Sequence, residues 1–154
     1  MQGSPKVIEF LNEALTAELT AINQYFVASK MAANWGYDKL ARHVYDESLG
    51  EMRHAESVIE RIILLEGVPN LQRLFPVRVG ETVVEQFELD LEMEREAVQR
   101  YRRGIGVCSE EGDPATRVFL EAQLVAEEEH VDWLETQFVA IEQLGFANYM
   151  LKWV

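Results

Sequence analysis

Two short runs, Glu51-Met52-Arg53-His54 and Glu127-Glu128-Glu129-His130, each place a carboxylate and an imidazole three residues apart. On a helix that spacing puts both side chains on nearly one face, so one rigid element can offer two ligands to a metal ion. A single pair of this kind arises easily by chance. Here both members recur at a displacement of 76 residues, and the same displacement relates Glu18 to Glu94 and Tyr25 to Tyr101. The chain therefore reads as two related halves, each with one glutamate followed 33 residues later by Glu-x-x-His.

The surrounding pattern is helical throughout. Ser4 and Pro5 open a first helix, expected over about 5–35 and stopped by Gly36. Asp38 is expected to cap a second over about 39–66, ended by Gly67-Val68-Pro69-Asn70. Thr82 and Glu85 form a capping box for a third over about 82–110, and Asp113-Pro114 starts a fourth over about 114–144. Phe146, Tyr149, Met150 and Trp153 recur at helical spacing and predict a short fifth helix over about 146–153. So short a segment is expected to hide its apolar face on other subunits rather than on its own bundle.

Four helices of this length, each with one apolar stripe, imply an all-α four-helix bundle forming a single domain over 1–154. Tight turns join the first helix to the second and the third to the fourth. Extended, the connection from Gly67 to Glu81 reaches about 50 Å, enough to run the length of the bundle and leave the second and third helices parallel.

Glu18, Glu51, Glu94 and Glu127 all fall near the middle of their helices and within the apolar stripes, which hold no Lys or Arg. Four carboxylates in such a core need compensating cations. Two divalent ions supply them, and four carboxylates with two imidazoles suit iron or manganese better than structural zinc. Carboxylate-bridged di-metal bundles use this ligand set. Glu47 and Gln123 are related by the same displacement and read as groups supporting the ligands. His43 falls opposite Phe119 in that alignment and reads as a surface residue.

Charge excludes other classes. With 27 acidic and 14 basic residues the net charge is −13, which disfavours nucleic acid and anionic membranes as partners. No apolar run is long enough to span a bilayer and the first residues lack a signal pattern, so a cytoplasmic protein is expected. Cys108 stands alone, which leaves no disulfide framework.

Met52 points about 100° away from Glu51 on its helix. It joins a second apolar stripe with Tyr45, Leu49, Ile59 and Ile63, and a helix apolar on two sides implies a subunit partner. A thioether also suits haem iron.

These stretches, with Ala21-Ile22-Asn23-Gln24-Tyr25-Phe26, Leu65-Glu66-Gly67-Val68-Pro69-Asn70-Leu71 and His130-Val131-Asp132-Trp133-Leu134-Glu135, resemble the bacterioferritins, haem-binding members of the ferritin family. The resemblance covers essentially the whole chain. It implies a ferritin-like bundle in which Glu18, Glu51, His54, Glu94, Glu127 and His130 bind two irons, with Glu51 and Glu127 bridging. It further implies ferroxidase activity with Fe(II) and O2 or peroxide, iron storage in a 24-subunit shell built from dimers, and a ferredoxin as electron donor for release. Met52 would be an axial ligand of haem b across the dimer axis, in a pocket lined by Leu19, Asn23, Phe26, Tyr45, Leu49 and Arg53.

Tyr25, Tyr101 and Trp133 lie close enough to the ligands in sequence to serve as electron donors, although core packing is the commoner role of such aromatics. Where many bacterioferritins carry a His and an Asp facing the shell interior, this chain has Asp46 and Gly50, which places an inner-surface iron site in doubt. A di-iron oxygenase or peroxidase that does not store iron would use the same six ligands, and would need a substrate pocket beside them.

Overall fold

The computed structural model describes residues 1–154. It contains α1 (Pro5–Asn34), α2 (Asp38–Leu64), α3 (Val83–Glu110), α4 (Pro114–Leu144), α5 (Phe146–Met150) and a closing 3-10 turn (Leu151–Trp153), with no strands. The all-α expectation, a bundle with a crossover and a short terminal helix, is met.

Local chemistry sets most of the boundaries. The Ser4 hydroxyl accepts from Lys6 N at 3.2 Å ahead of Pro5, and Thr82 Oγ1 accepts from Glu85 N at 3.1 Å. The Asp113 carboxylate accepts from both the Thr116 amide at 3.0 Å and its hydroxyl at 2.6 Å. Two details differ from expectation. Asp38 is the first residue of α2 rather than its cap, so its charge faces the positive helix end while Tyr37 caps without a side-chain bond. At the other end of α2 the left-handed residue is Glu66 (φ 64°), not Gly67. Gly67 is needed for space, since a Cβ there would lie 2.7 Å from Ile8 Cγ2.

The crossover is tied down along α1. Asn12 Nδ2 donates to Val68 O and Asn12 Oδ1 accepts from Asn70 N, at 3.2 and 2.8 Å. Farther along, Thr20 Oγ1 accepts from Phe75 N at 2.9 Å. The Arg78 guanidinium then grips Glu92 and Glu96 of α3, at 3.0 and 3.1 Å. The strap thus travels in the direction of α1, opposite to α2, and delivers α3 parallel to α2.

The core is split in two. One apolar cluster holds Val7, Leu11, Leu15, Val58, Ile62, Tyr101 and Leu120; the other holds Ala28, Leu40, Val44, Val83, Phe87, Leu134 and Tyr149. In sequence, all four mid-helix glutamates fall between residues of the first cluster and residues of the second, so the carboxylates form a polar layer between two greasy ones.

The tail departs from expectation. Tyr149 and Met150 are buried in the second cluster, and the Tyr149 hydroxyl donates to Gln137 Oε1 of α4 at 2.6 Å. The segment therefore hides half of its apolar face on its own bundle, because α4 and the start of α2 leave a groove for it. Phe146, Leu151 and Val154 stay exposed.

Two glycines give opposite expectations. A Cβ on Gly104 would overlap the Phe10 ring, whereas one on Gly50 meets only Arg53 Nη2, at 3.8 Å. Gly104→Ala should therefore destabilise by about 1–3 kcal/mol through overpacking. Gly50→Ala should stabilise by roughly 0.5–1 kcal/mol, since it only removes backbone freedom. Thermal melts of the two variants check both signs.

Candidate metal centre

Each long helix sends one glutamate into the middle layer, and α2 and α4 each add a histidine one turn on. Glu18, Glu51, Glu94 and Glu127 are all at least 97% buried. The Nδ1 of His54 lies 3.4 Å from Glu51, 3.8 Å from Glu18 and 3.9 Å from Glu127. The Nδ1 of His130 lies 3.3 Å from Glu127, 3.4 Å from Glu94 and 3.5 Å from Glu51. Donor atoms of Glu18, Glu51, His54 and Glu127 all fall within 4.8 Å of one another, and so do those of Glu51, Glu94, Glu127 and His130. Glu51 and Glu127 belong to both groups. The arrangement is two overlapping nests sharing two carboxylates.

These atoms are short of partners. Glu18 Oε2, both oxygens of Glu51, Glu127 Oε2 and His54 Nδ1 are buried without a hydrogen bond. Unpaired acceptors cost free energy in a dry interior, and here they converge on common points. Oxygen-rich nests with one imidazole each are what a pair of divalent iron or manganese ions requires.

Two of the remaining oxygens are held by tyrosines reaching between α1 and α3. The Tyr25 hydroxyl on α1 donates to Glu94 Oε1 on α3 at 2.6 Å, and the Tyr101 hydroxyl on α3 donates to Glu18 Oε1 on α1 at 2.5 Å. Burial and the adjoining carboxylates raise both phenols well above their ordinary range. They therefore stay protonated and keep donating.

Several groups in this layer hold protons more strongly than free side chains do. Burial, followed by the charges of Glu18 and Glu94 respectively, pushes Glu51 and Glu127 well above the ordinary carboxylate range. Burial opposes a charge on His130, yet the close carboxylates of Glu127 and Glu94 prevail and push it up to about 11. Asp90 is raised to about 7 by burial, partly offset by the 2.9 Å bond it accepts from Gln24 Nε2.

Around the nests, Glu47 Oε2 stands 3.4 Å from His130 Nε2, while Gln123 Oε1 is buried without a partner. His43 is a correction to the sequence reading. Its side chain is only 30% exposed, with its ring stacked 4.4 Å from that of Trp133. Trp133 in turn meets Phe87 edge-on at 6.0 Å. Asp46 is exposed beside Gly50.

The second stripe of α2 faces outward. Phe26, Tyr45, Leu49 and Met52 are exposed, Met52 at 47%, and the Phe26 and Tyr45 rings lie 6.3 Å apart. Leu19 is half-buried beside them in sequence register, Asn23 donates to Leu19 O at 2.8 Å, and Arg53 is exposed. A soft thioether on an open apolar face suits a flat apolar ligand with iron at its centre.

Comparison with known proteins agrees with this geometry. The ferritin-like domain family matches residues 8–144. The bacterioferritin of Streptomyces coelicolor is 55% identical over 150 residues, covering 97% of this chain and 90% of that protein. That of Mycobacterium leprae is 51% identical over 154 residues, covering 100% and 97%. A solved mycobacterial bacterioferritin superposes with a TM-score of 0.97 at 52% identity, covering 100% of this chain and 96% of the other.

This chain belongs to the bacterioferritins. A further solved bacterioferritin, from Rhodobacter capsulatus, has a TM-score of 0.98 at 45% identity, covering 100% and 96%; it is described with a metal-free dinuclear site and haem iron in a crystallographic special position.

Sequence reading did not find the crossed tyrosine bonds, Asp90 or the burial of His43. The 76-residue displacement of Tyr25 and Tyr101 was the available signal for the first; for Asp90 there was none, since Ala14 stands at its related position.

Metal ligands must be deprotonated, and Glu51, Glu127 and His130 all bind protons more strongly than free side chains do. Loading this bacterioferritin with Zn(II) should therefore release protons at pH 7, and affinity should rise with pH across the neutral range. Calorimetry in two buffers of different ionisation enthalpy measures the proton count, which should be at least one per chain.

Proposed function

We propose that this bacterioferritin stores iron, oxidising Fe(II) at the four-glutamate centre and holding the ferric product inside a shell of its own copies. The observation that carries the reading is the pair of overlapping nests sharing Glu51 and Glu127. In this reading Fe(II) is the substrate. Glu18 and His54 hold one ion, Glu94 and His130 the other, and Glu51 and Glu127 bridge them. Each Fe(II) gives up one electron; O2 takes two electrons and two protons to form H2O2, with peroxide as a second acceptor. Carboxylates favour the ferric state. Tyr25 and Tyr101 fix the terminal carboxylates through their hydroxyls, and their rings and that of Trp133 are the candidate redox-active side chains. The cavity reaching the four glutamates has room for little more than a water molecule. That argues against an oxygenase acting on an organic substrate.

Haem b fits the outward stripe. Met52 from each of two chains would take its iron, with Leu19, Asn23, Phe26, Tyr45, Leu49 and Arg53 around it. Bound there, haem supplies an electron relay through the shell wall, with a ferredoxin as the external donor for iron release. The exposed Phe146, Leu151 and Val154 supply contacts for a 24-subunit assembly. The proposed setting is cytoplasmic; no helix is long and apolar enough to cross a membrane.

Stopped-flow mixing of anaerobic Fe(II)-loaded protein with O2 tests the centre. Glu94→Gln should lose the rapid ferric absorbance rise while keeping its helical signal. Persistence of that phase would show that the centre lies elsewhere. Met52→Leu conserves volume, so it should cost under about 1.5 kcal/mol in packing. It should lose haem absorbance on reconstitution and keep the native assembly size.

A further inference from the structure

The duplication that builds the centre breaks down just behind it. At the displacement of 76 residues, Glu47 corresponds to Gln123 and His43 to Phe119. Behind the His130 half there is thus an anion and an imidazole, where the His54 half is matched by a neutral amide and a phenyl ring.

The contacts give that difference a direction. His130 turns Nδ1 toward Glu51, Glu94 and Glu127, and Nε2 toward Glu47 Oε2 at 3.4 Å. The other oxygen of Glu47 faces His43 Nε2 at 3.6 Å. That nitrogen is buried and has no hydrogen-bond partner. The gap is a few tenths of an ångström longer than a hydrogen bond, as in sites that tighten only when loaded. One carboxylate thus stands between two imidazoles, one oxygen for each.

His43 is also fixed from outside. Its ring stacks on Trp133 at 4.4 Å and meets Trp153 of the closing 3-10 turn at 5.7 Å. That turn is anchored in its own right, because the Tyr149 hydroxyl and Lys152 Nζ both donate to Gln137 Oε1, at 2.6 and 3.1 Å. The two indoles also meet each other at 6.3 Å, so the imidazole packs into the corner they form and its ring is held on two adjacent sides.

We infer that His43, acting through Glu47, is a positioning residue for His130 and makes the two metal positions unequal. A carboxylate on the far nitrogen of a metal-binding imidazole fixes the ring's tautomer and makes it a better donor. His43 would hold that carboxylate in place, and the C-terminal turn would hold His43. The inference rests on the assignment of His130 as a ligand under the proposed function.

Anaerobic Co(II) titration of the full chain, followed by visible ligand-field bands, tests it apart from activity. The unaltered protein should take two Co(II) per chain with unequal affinities; fewer than two would defeat the metal-centre reading itself. His43→Phe keeps the stack on Trp133 but removes Nε2, and should weaken one equivalent about tenfold while sparing the other. His43→Gln carries an amide nitrogen at similar reach and should restore it. In a His130→Ala background, His43→Phe should add no further loss, because the ring it positions is gone. Unchanged affinity, equal weakening of both equivalents, no recovery with glutamine, or a full additional loss in the His130→Ala background would each overturn the positioning role. Thermal melts of the metal-free variants identify any simple packing defect, which would lower stability without distinguishing the two metals.

Discussion

Four glutamates at the centre of an apolar bundle set the terms for everything around them. An ionised carboxylate in so dry a place is costly unless a cation or a hydrogen-bond donor compensates it. Two of the oxygens are served by tyrosines reaching across from other helices, and the histidines approach several more. What remains is a set of buried acceptors with no partner, concentrated where Glu51 and Glu127 overlap. The flanking apolar clusters pack the helices on either side of this layer. Metal binding then exchanges protons for divalent charge in that layer. The resident protons, the crossed phenols and the split core are consequences of that one demand.

Internal duplication is the economical way to make such a layer. Repeating one helix pair, with a strap long enough to return along α1, places like residues at like depth. It also explains why Tyr25 serves Glu94 and Tyr101 serves Glu18: the relation that exchanges the halves exchanges the bonds. Function then appears where the halves differ. Met52 stands on an open face of α2 about 100° from Glu51, so one helix turns one side to the buried centre and an exposed apolar face to the outside. Glu47 and His43 stand behind one histidine only.

The convergence of the four glutamates and two histidines was legible because two independent regularities agreed: the three-residue spacing of helical faces and the 76-residue displacement. The bundle and its crossover followed from helix length and loop length. Other features depend on which helices become neighbours, and that information is not local. The tyrosine–glutamate bonds needed α1 and α3 to become packed neighbours. His43 looked exposed by its displacement partner, but a flat ring can be half-buried by stacking, and Trp133 lies 90 residues away. The tail was misjudged for the same reason, since the groove that receives Tyr149 is made by distant segments. At the α2 termini the error was smaller and local. Asp38 begins the helix rather than capping it, and Glu66 takes the left-handed turn ahead of Gly67, which is itself needed for close approach to Ile8.

The central claim is that the middle layer binds two metal ions bridged by Glu51 and Glu127. Anomalous diffraction from crystals soaked with Fe(II) under anaerobic conditions addresses it most directly. The account predicts two anomalous peaks per chain, one between Glu18 and His54 and one between Glu94 and His130, with both bridging carboxylates touching each. A single peak, or peaks confined to the protein surface, would contradict it.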